Sequence, residues 1–219
     1  MNQEIDLLKN YPKAKRDLDE RAQNKSDQDR EIARRFGKEF FDGDRKHGYG
    51  GFTYNPRFWK PVVPTFIEYW GLTKENSILD VGCAKGFMIY DFMQEIKGLH
   101  IRGIDISEYA INNSMEEVRN FVTVGNAKNL NFEDNSFDYI ISINTIHNLN
   151  LEDCITSIKE IERVASKGAF ITVDAYNTAE EMERMYKWNL TAKTIMSVNE
   201  WKDLFKQAGY SGNYYWFIP

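Results

Sequence analysis

The chain has 219 residues, of which 33 are acidic and 28 are basic, so its formal net charge is −5. This length suits one domain with an extension. Acids and bases are interleaved, which leaves no broad basic face to neutralise a phosphate backbone and argues against nucleic acid as a partner. No apolar run approaches the roughly 18 residues that span a bilayer, and the first residues are strongly charged, so we expect neither a membrane helix nor a signal peptide.

The first part of the chain differs in amino-acid composition from the rest. Residues 1–36 are charged, with sparse apolar positions that predict a partly packed helix, and the first twenty fit an ordered or a disordered state equally well. Residues 36–59 combine many aromatic side chains with glycine, which predicts a loop that covers another part of the molecule. We therefore predict an extension over residues 1–59 and a main domain over residues 60–219.

Strands alternate with helices from residue 61 onward, a pattern typical of a parallel sheet covered on both faces. The predicted helices span 61–70, 87–96, 108–118, 151–165, 179–188 and 199–207. The predicted strands span 78–81, 100–104, 121–124, 137–143, 169–173 and 214–218. The last strand is predicted to form a terminal hairpin.

A loop of small residues follows the first strand, which ends in Asp80. Gly82, Ala84 and Gly86 allow the main chain to approach a ligand closely, before the next helix begins. Asp105 ends the second strand, where a carboxylate can accept hydrogen bonds from ribose hydroxyl groups. These positions predict a nucleoside ligand.

The charge of Asp80 discriminates between nucleoside cofactors. An ionised carboxylate beside the loop would repel the pyrophosphate of a dinucleotide, whereas it suits a ligand that carries ammonium and sulfonium charges. A nicotinamide-dependent oxidoreductase would share the role of Asp105 but would leave Asp80 unexplained. It stays open as an alternative.

The pattern Asp80-x-Gly82-x-Ala84-x-Gly86, followed by Gly103-Ile104-Asp105, resembles the cofactor-binding signature of class I S-adenosylmethionine-dependent methyltransferases. The resemblance covers about residues 60–219. It implies an α/β, doubly wound Rossmann-like fold with a seven-stranded sheet, mostly parallel with an antiparallel terminal strand. Ala84 departs from the pattern, because the family more often has glycine there.

The resemblance also implies a set of residues around S-adenosylmethionine. Asn126 follows the third strand where the family often binds adenine, although Asn-Ala after glycine also fits a simple turn. Asn144 ends the fourth strand, where it could face the ligand crevice or only cap the strand. The full cofactor-binding set is Asp80, Gly82, Cys83, Ala84, Gly86, Asp105, Ile106, Asn126, Ala127 and Asn144.

His147 is the histidine nearest the expected reaction crevice, and its ordinary pKa suits proton removal near neutral pH. A general base and an orienting or packing residue are both open roles for it, and His47 is a weaker second candidate for the base. Four residues of the extension are candidates for a lid or a substrate contact, with ordinary packing as the alternative: Tyr49, Tyr54, Arg57 and Trp59.

These observations predict a cytoplasmic methyltransferase that acts on an O or N atom of a small metabolite, with sugar-linked metabolites among the candidates. Its two cysteines, Cys83 and Cys154, lie far apart and predict neither a disulfide framework nor a metal site. An alternative function is a non-catalytic S-adenosylmethionine-binding subunit, whose extension would serve as a docking surface. The sequence leaves the acceptor and the oligomeric state undecided.

Overall fold

The computed structural model describes residues 3–12 and 26–219. Within these ranges the chain forms a seven-stranded sheet with helices on both faces. The strands are β1 (Ser77–Val81), β2 (His100–Asp105), β3 (Val122–Val124), β4 (Phe137–Ile143), β5 (Ala165–Tyr176), β6 (Met196–Ser197) and β7 (Asn213–Phe217). The helices are α1 (Asp27–Ala33), α2 (Lys38–Phe41), α3 (Pro56–Trp59), α4 (Val63–Trp70), α5 (Phe87–Glu95), α6 (Glu108–Asn112), α7 (Leu151–Val164), α8 (Ala179–Trp188) and α9 (Val198–Ala208).

The strand order is β3-β2-β1-β4-β5-β6, with β7 also paired to β5, and this confirms the predicted α/β, Rossmann-like architecture. β1 and β4 lie at the centre, and the order reverses around them. Ligands of such sheets bind beyond the carboxyl ends of the strands, where the order reverses. The topology therefore places the ends of β1, β2 and β4 at one crevice.

The predicted antiparallel terminal strand and its hairpin are wrong. β7 runs parallel to β5, in a register that pairs Phe170 with Asn213 and Asp174 with Phe217. A crossover helix, α9, returns the chain to the starting end of the sheet before β7 begins, and such a connection makes the two strands parallel. The outer edge of β7 pairs with a residue near the start of the chain: the main-chain N–H of Ile5 donates to the carbonyl of Tyr214 over 3.0 Å.

The sheet is buried on both faces because its central strands carry apolar residues at consecutive positions. Ile140 packs into one apolar cluster with α7 and α9, while the next residue, Ile141, packs into the opposite cluster with α4 and α5. Ile171 and Phe170 divide between the two clusters in the same way. Successive side chains of a strand point to opposite faces, so two helical layers fix the sheet.

The predicted helix over residues 108–118 is shorter in the structure. α6 stops at Asn112, and a 3-10 helix follows over Glu116–Phe121. The side-chain amide of Asn113 donates to the carbonyl of Tyr109 over 2.8 Å, a local bond that competes with continuation of the helix.

The segment of residues 36–59, called the aromatic segment below, contains α2, a 3-10 helix over Arg45–His47, and α3. It is thus partly helical rather than a plain loop. The helix predicted over residues 1–36 is present as α1, whereas residues 3–12 contain only turns and the bridge to β7. The rest of that prediction lies outside the described residues. Across residues 3–12 and 26–219, no helix is long and apolar enough to cross a membrane.

Candidate active site

The loop between β1 and α5 is held in a fixed shape by its main chain. The N–H groups of Gly82 and Cys83 both donate to the carbonyl of Ile104 on β2, over 2.8 and 3.0 Å. Gly82 has a φ of +91°, and a Cβ atom there would lie 2.0 Å from Oγ1 of Thr145. The turn therefore requires glycine at this position, both for its conformation and for space.

The end of the loop is equally tight. Gly86 has a φ of +80°, and a Cβ atom there would lie 2.7 Å from a methyl carbon of Val118. Ala84 also adopts the left-handed region, with a φ of +50°. A left-handed residue with a side chain costs roughly 1–2 kcal/mol, so alanine is tolerated here at the expense of strain that glycine would avoid.

Asp105 binds this loop as well as facing the crevice. Its Oδ2 accepts the N–H of Ala84 over 2.8 Å, and its Oδ1 accepts the N–H of Ser107 over 2.8 Å. Burial raises the pKa of the Asp105 carboxyl group, while these two hydrogen bonds oppose the rise. Each carboxylate oxygen has a second lone pair, so both can still accept a hydroxyl group.

Asp80 is the most strongly perturbed carboxyl group of the crevice. It is 4% exposed, and burial together with the nearby charge of Asp105 raises its pKa to about 8. Among the described residues, no lysine or arginine forms an ion pair with Asp80. A buried acid and a half-buried one that repel each other, with no ion pair to a lysine or arginine among the described residues, are suited to a positively charged ligand.

The other predicted cofactor residues lie around this core in different settings. Ile106, next to Asp105, leaves 55% of its surface exposed, and Ala127 is partly buried against the main core. The side-chain oxygen of Asn126 accepts the N–H of Lys128 over 3.0 Å, a local turn contact that leaves the amide group and the second lone pair of the oxygen for a ligand. Asn144 follows β4, accepts the hydroxyl group of Thr172 over 3.0 Å, and has a φ of +52°, in the left-handed region that asparagine adopts more readily than most residues.

The side chain of His147 is held against Asp174 of β5. Its side chain is buried, its Nδ1 accepts the N–H of Asp174 over 3.0 Å, and its Nε2 lies 3.6 Å from Oδ2 of the same residue. Burial lowers the pKa of His147. Both ring nitrogens are therefore directed at β5.

The four candidate lid residues make different contacts. Tyr49 packs on Phe52, with ring centroids 4.3 Å apart, and the hydroxyl group of Tyr54 donates to Asp91 on α5 over 2.6 Å. Arg57 is exposed, with its guanidinium group over the ring of Phe58. Trp59 packs on Tyr11. His47, the second base candidate, is buried, and its Nε2 lies 3.0 Å from Asp29.

Sequence reasoning missed three residues that join the aromatic segment to the cofactor loop. Lys85 lies within the loop and is 6% exposed, and its ammonium group donates to Asp42 over 2.7 Å. Tyr109 on α6 donates to the same carboxylate over 2.8 Å. A lysine among small residues was a visible signal, but its partner lies too far away in the sequence to be found by spacing.

A parallel sheet whose first two strands end in acids around a tight glycine loop defines a class I methyltransferase. Residues 72–209 match the family model described as a methyltransferase domain, and the chain belongs to that family. The cofactor of the family is S-adenosylmethionine. The residues fit this molecule, since the buried Asp80 and the half-buried Asp105 form an acidic pair beside a close main-chain turn.

The curated relatives share the domain at moderate identity. The chain is 27% identical to an uncharacterised protein of Haemophilus influenzae, over 69% of this chain and 64% of that protein. It is 30% identical to norajmaline N-methyltransferase of Rauvolfia serpentina, over 47% of this chain and 37% of the relative. It is 30% identical to demethylmenaquinone methyltransferase of Staphylococcus aureus, over 46% and 43%. The chain thus spans between 37% and 64% of these relatives.

Solved structures share the fold. The YcgJ protein of Bacillus subtilis superposes with a TM-score of 0.55 at 19% identity, covering 67% of this chain and 66% of that one. Phosphoethanolamine N-methyltransferase 2 of Haemonchus contortus, solved with S-adenosylhomocysteine, gives a TM-score of 0.56 at 23% identity and covers 83% of this chain but 41% of that one. These likenesses support the architecture of the sheet.

Proposed function

We propose that this chain transfers the methyl group of S-adenosylmethionine to an O or N atom of a small metabolite, with sugar-linked acceptors among the candidates. Residues 60–219 would form the catalytic domain and residues 1–59 an extension that closes over it. The observation that carries the proposal is the buried Asp80, whose carboxyl group adjoins Asp105 without an ion-pair partner among the described residues. A cationic methyl donor supplies the missing charge.

Several residues around the crevice would each hold a different part of the cofactor. Asp105 would accept the ribose hydroxyl groups, and the main chain of the glycine loop would lie against the methionine moiety, with Asp80 beside its positive charges. Ile106 offers an exposed apolar surface to the adenine ring. The remaining contacts are proposed for Cys83, Ala127, Asn126 and Asn144.

Bound S-adenosylmethionine supplies an electrophilic methyl group on a positively charged sulfur. The chain's own contribution is positioning, because holding a nucleophile in line with that carbon can provide several kcal/mol. Both nitrogens of His147 are directed at β5, so we assign proton removal to no side chain. The acceptor would then be nucleophilic as it binds, as an anionic oxygen or an uncharged amine is.

The extension supports a small acceptor, because it contacts the main domain at two separate places. Arg30 of α1 donates to the carbonyl of Asn189 over 2.6 Å, and Arg34 donates to the carbonyl of Ala192 over 3.2 Å. At the other side, Lys85 binds Asp42 of the aromatic segment. A cover attached at both ends admits a metabolite more readily than a macromolecule.

Binding and turnover test this function in two steps. Calorimetry of the purified chain should show binding of S-adenosylmethionine and S-adenosylhomocysteine but not of a nicotinamide dinucleotide. Isotope-labelled S-adenosylmethionine, incubated with pooled small metabolites, should then yield a labelled product. Asp80→Asn should abolish both signals, whereas Asp203→Asn, on an exposed position of α9, should change neither. Binding without turnover on any acceptor would favour the non-catalytic subunit.

A further inference from the structure

Lys85 is a buried cation inside the cofactor loop. Its ammonium group donates to Oδ2 of Asp42 over 2.7 Å and to the carbonyl of Phe52 over 2.9 Å. Both acceptors belong to the aromatic segment. The glycine loop, which must lie against the cofactor, is therefore attached through a side chain to a segment that lies some forty residues earlier in the sequence.

Asp42 is the junction of this attachment. Its Oδ1 accepts the main-chain N–H of Phe52 over 2.9 Å, and its Oδ2 accepts the hydroxyl group of Tyr109 over 2.8 Å as well as the ammonium group of Lys85. Tyr109 lies on α6, which begins just after Asp105. One carboxylate thus joins the aromatic segment to the glycine loop on one side and to the helix behind the ribose-binding acid on the other.

Aromatic packing joins the aromatic segment to the same two parts of the site, the cofactor loop with the start of α5 and the helix α6. Phe52 stacks on Phe87 at the start of α5, with ring centroids 4.8 Å apart, and Phe41 stacks on Tyr109 at 6.4 Å. The hydroxyl group of Ser107 donates to the carbonyl of Phe36. The aromatic segment therefore lies across the cofactor loop and α6 together.

We infer that Asp42 is a positioning residue for S-adenosylmethionine, acting through Lys85 and Tyr109. A buried ammonium group that loses its carboxylate is strongly destabilised, so the loop keeps its shape when the aromatic segment is docked. By linkage, cofactor binding must then favour docking of the aromatic segment to the same degree. The inference rests on cofactor binding by this loop and is independent of the acceptor.

The affinity for S-adenosylhomocysteine tests the coupling without any need for turnover. Asp42→Asn and Lys85→Met should each weaken binding at least tenfold in calorimetry. The double variant should bind S-adenosylhomocysteine no more weakly than the weaker-binding single variant, because both substitutions break the same Lys85–Asp42 ion pair. Lys167→Met is the control: it removes an exposed lysine ion pair, 3.2 Å from Asp138, at the opposite end of the sheet, and should leave affinity unchanged.

Hydrogen exchange provides the second measurement. S-adenosylhomocysteine should slow exchange at the main-chain amides of residues 38–54 in the native chain, and this protection should be lost in both single variants. Should Asp42→Asn fail to fold, Tyr109→Phe keeps the ring, removes only the hydroxyl group, and should weaken binding severalfold. Folded variants with native affinity and native protection would overturn the inference. Failure of the native chain to bind would instead overturn the cofactor site itself.

Discussion

The main-chain N–H of Ala84 donates a hydrogen bond to Oδ2 of Asp105 over 2.8 Å. The acid that ends β2 therefore supports the loop that follows β1, in addition to the ribose contact proposed for it. Ala84 occupies the left-handed region, where a residue with a side chain is strained, and this bond helps to hold it there. The loop and the acid act as one unit.

This relationship predicts a larger effect of Asp105 than a single ligand contact would produce. Asp105→Ala should weaken S-adenosylmethionine binding by more than the roughly tenfold to hundredfold that loss of one hydrogen bond to a charged group, about 1.5–3 kcal/mol, would cause, because the support of the loop is lost as well. Calorimetry measures the change, with Asp203→Asn as the exposed control. Native affinity in a folded Asp105→Ala protein would remove the ribose assignment.

The raised pKa of Asp80 predicts that cofactor binding depends on pH. Burial and the charge of Asp105 raise the pKa of Asp80 to about 8, and only the ionised form attracts a cation. Affinity for S-adenosylmethionine should therefore fall as pH decreases from about 8 toward 6, by up to tenfold per unit. Calorimetry at several pH values checks this slope. Asp80→Asn should bind weakly at every pH, and a variant that retained the native slope would contradict the assignment.

The same pKa predicts the pH dependence of stability in the unliganded chain. Asp80 has a higher pKa in the folded state than the value near 3.9 expected in the unfolded state, so folding favours its protonated form. The contribution of Asp80 to the free energy of unfolding should thus decrease as pH rises from about 4 through about 8. Urea unfolding across this range should show that decrease, and Asp80→Asn should reduce it.

Gly82→Ala should damage the loop although it adds a single methyl group. The new Cβ atom would lie 2.0 Å from Oγ1 of Thr145, and the φ of +91° is unfavourable for alanine. We expect a loss of about 1–3 kcal/mol in stability and at least a tenfold loss in cofactor affinity. Gly209→Ala is the control, since its φ of +74° is similar but nothing lies within 4 Å of its Cβ position. Equal effects of the two substitutions on cofactor affinity would argue against the role of Gly82.

Substitution of His147 should affect stability more than chemistry. His147→Ala leaves the buried N–H of Asp174 without an acceptor, which costs about 1–3 kcal/mol. His147→Asn places an oxygen near the Nδ1 position and should recover part of that loss. We expect the asparagine variant to keep methyl transfer. A His147→Asn protein that folds but is inactive would support the role of His147 as the general base.

The lowered pKa of His147 predicts a pH-dependent contribution to the stability of the native chain. Burial lowers the pKa of His147 below its ordinary value near 6.5, so the unfolded chain binds its proton more readily. The contribution of His147 to stability should be lost as pH falls below about 6.5. Unfolding of His147→Asn should lack this component.

Several features of the site could be predicted from local sequence. Asp80 follows a strand of apolar residues, and small residues follow it at positions where the structure shows left-handed φ angles or a close contact. Gly209 ends α9 with a φ of +74°, the left-handed conformation that glycine favours after a helix. Such features depend on neighbours in the chain, and their spacing is visible in the sequence.

Other features could not be predicted because they depend on partners distant in sequence. The expected direction of β7 came from family resemblance, while the actual direction follows from where α9 returns the chain. The role of His147 depends on whether its ring faces the crevice or β5, and composition is the same in both cases.

The sequence by itself determined the class of fold and the acidic glycine loop, since alternating strands and helices and the residue types of a tight turn are local properties. Only the tertiary structure decided that Lys85 in that loop binds Asp42 of the aromatic segment. A buried lysine must find a carboxylate, but which of the 33 acids supplies it is settled by packing of the whole chain.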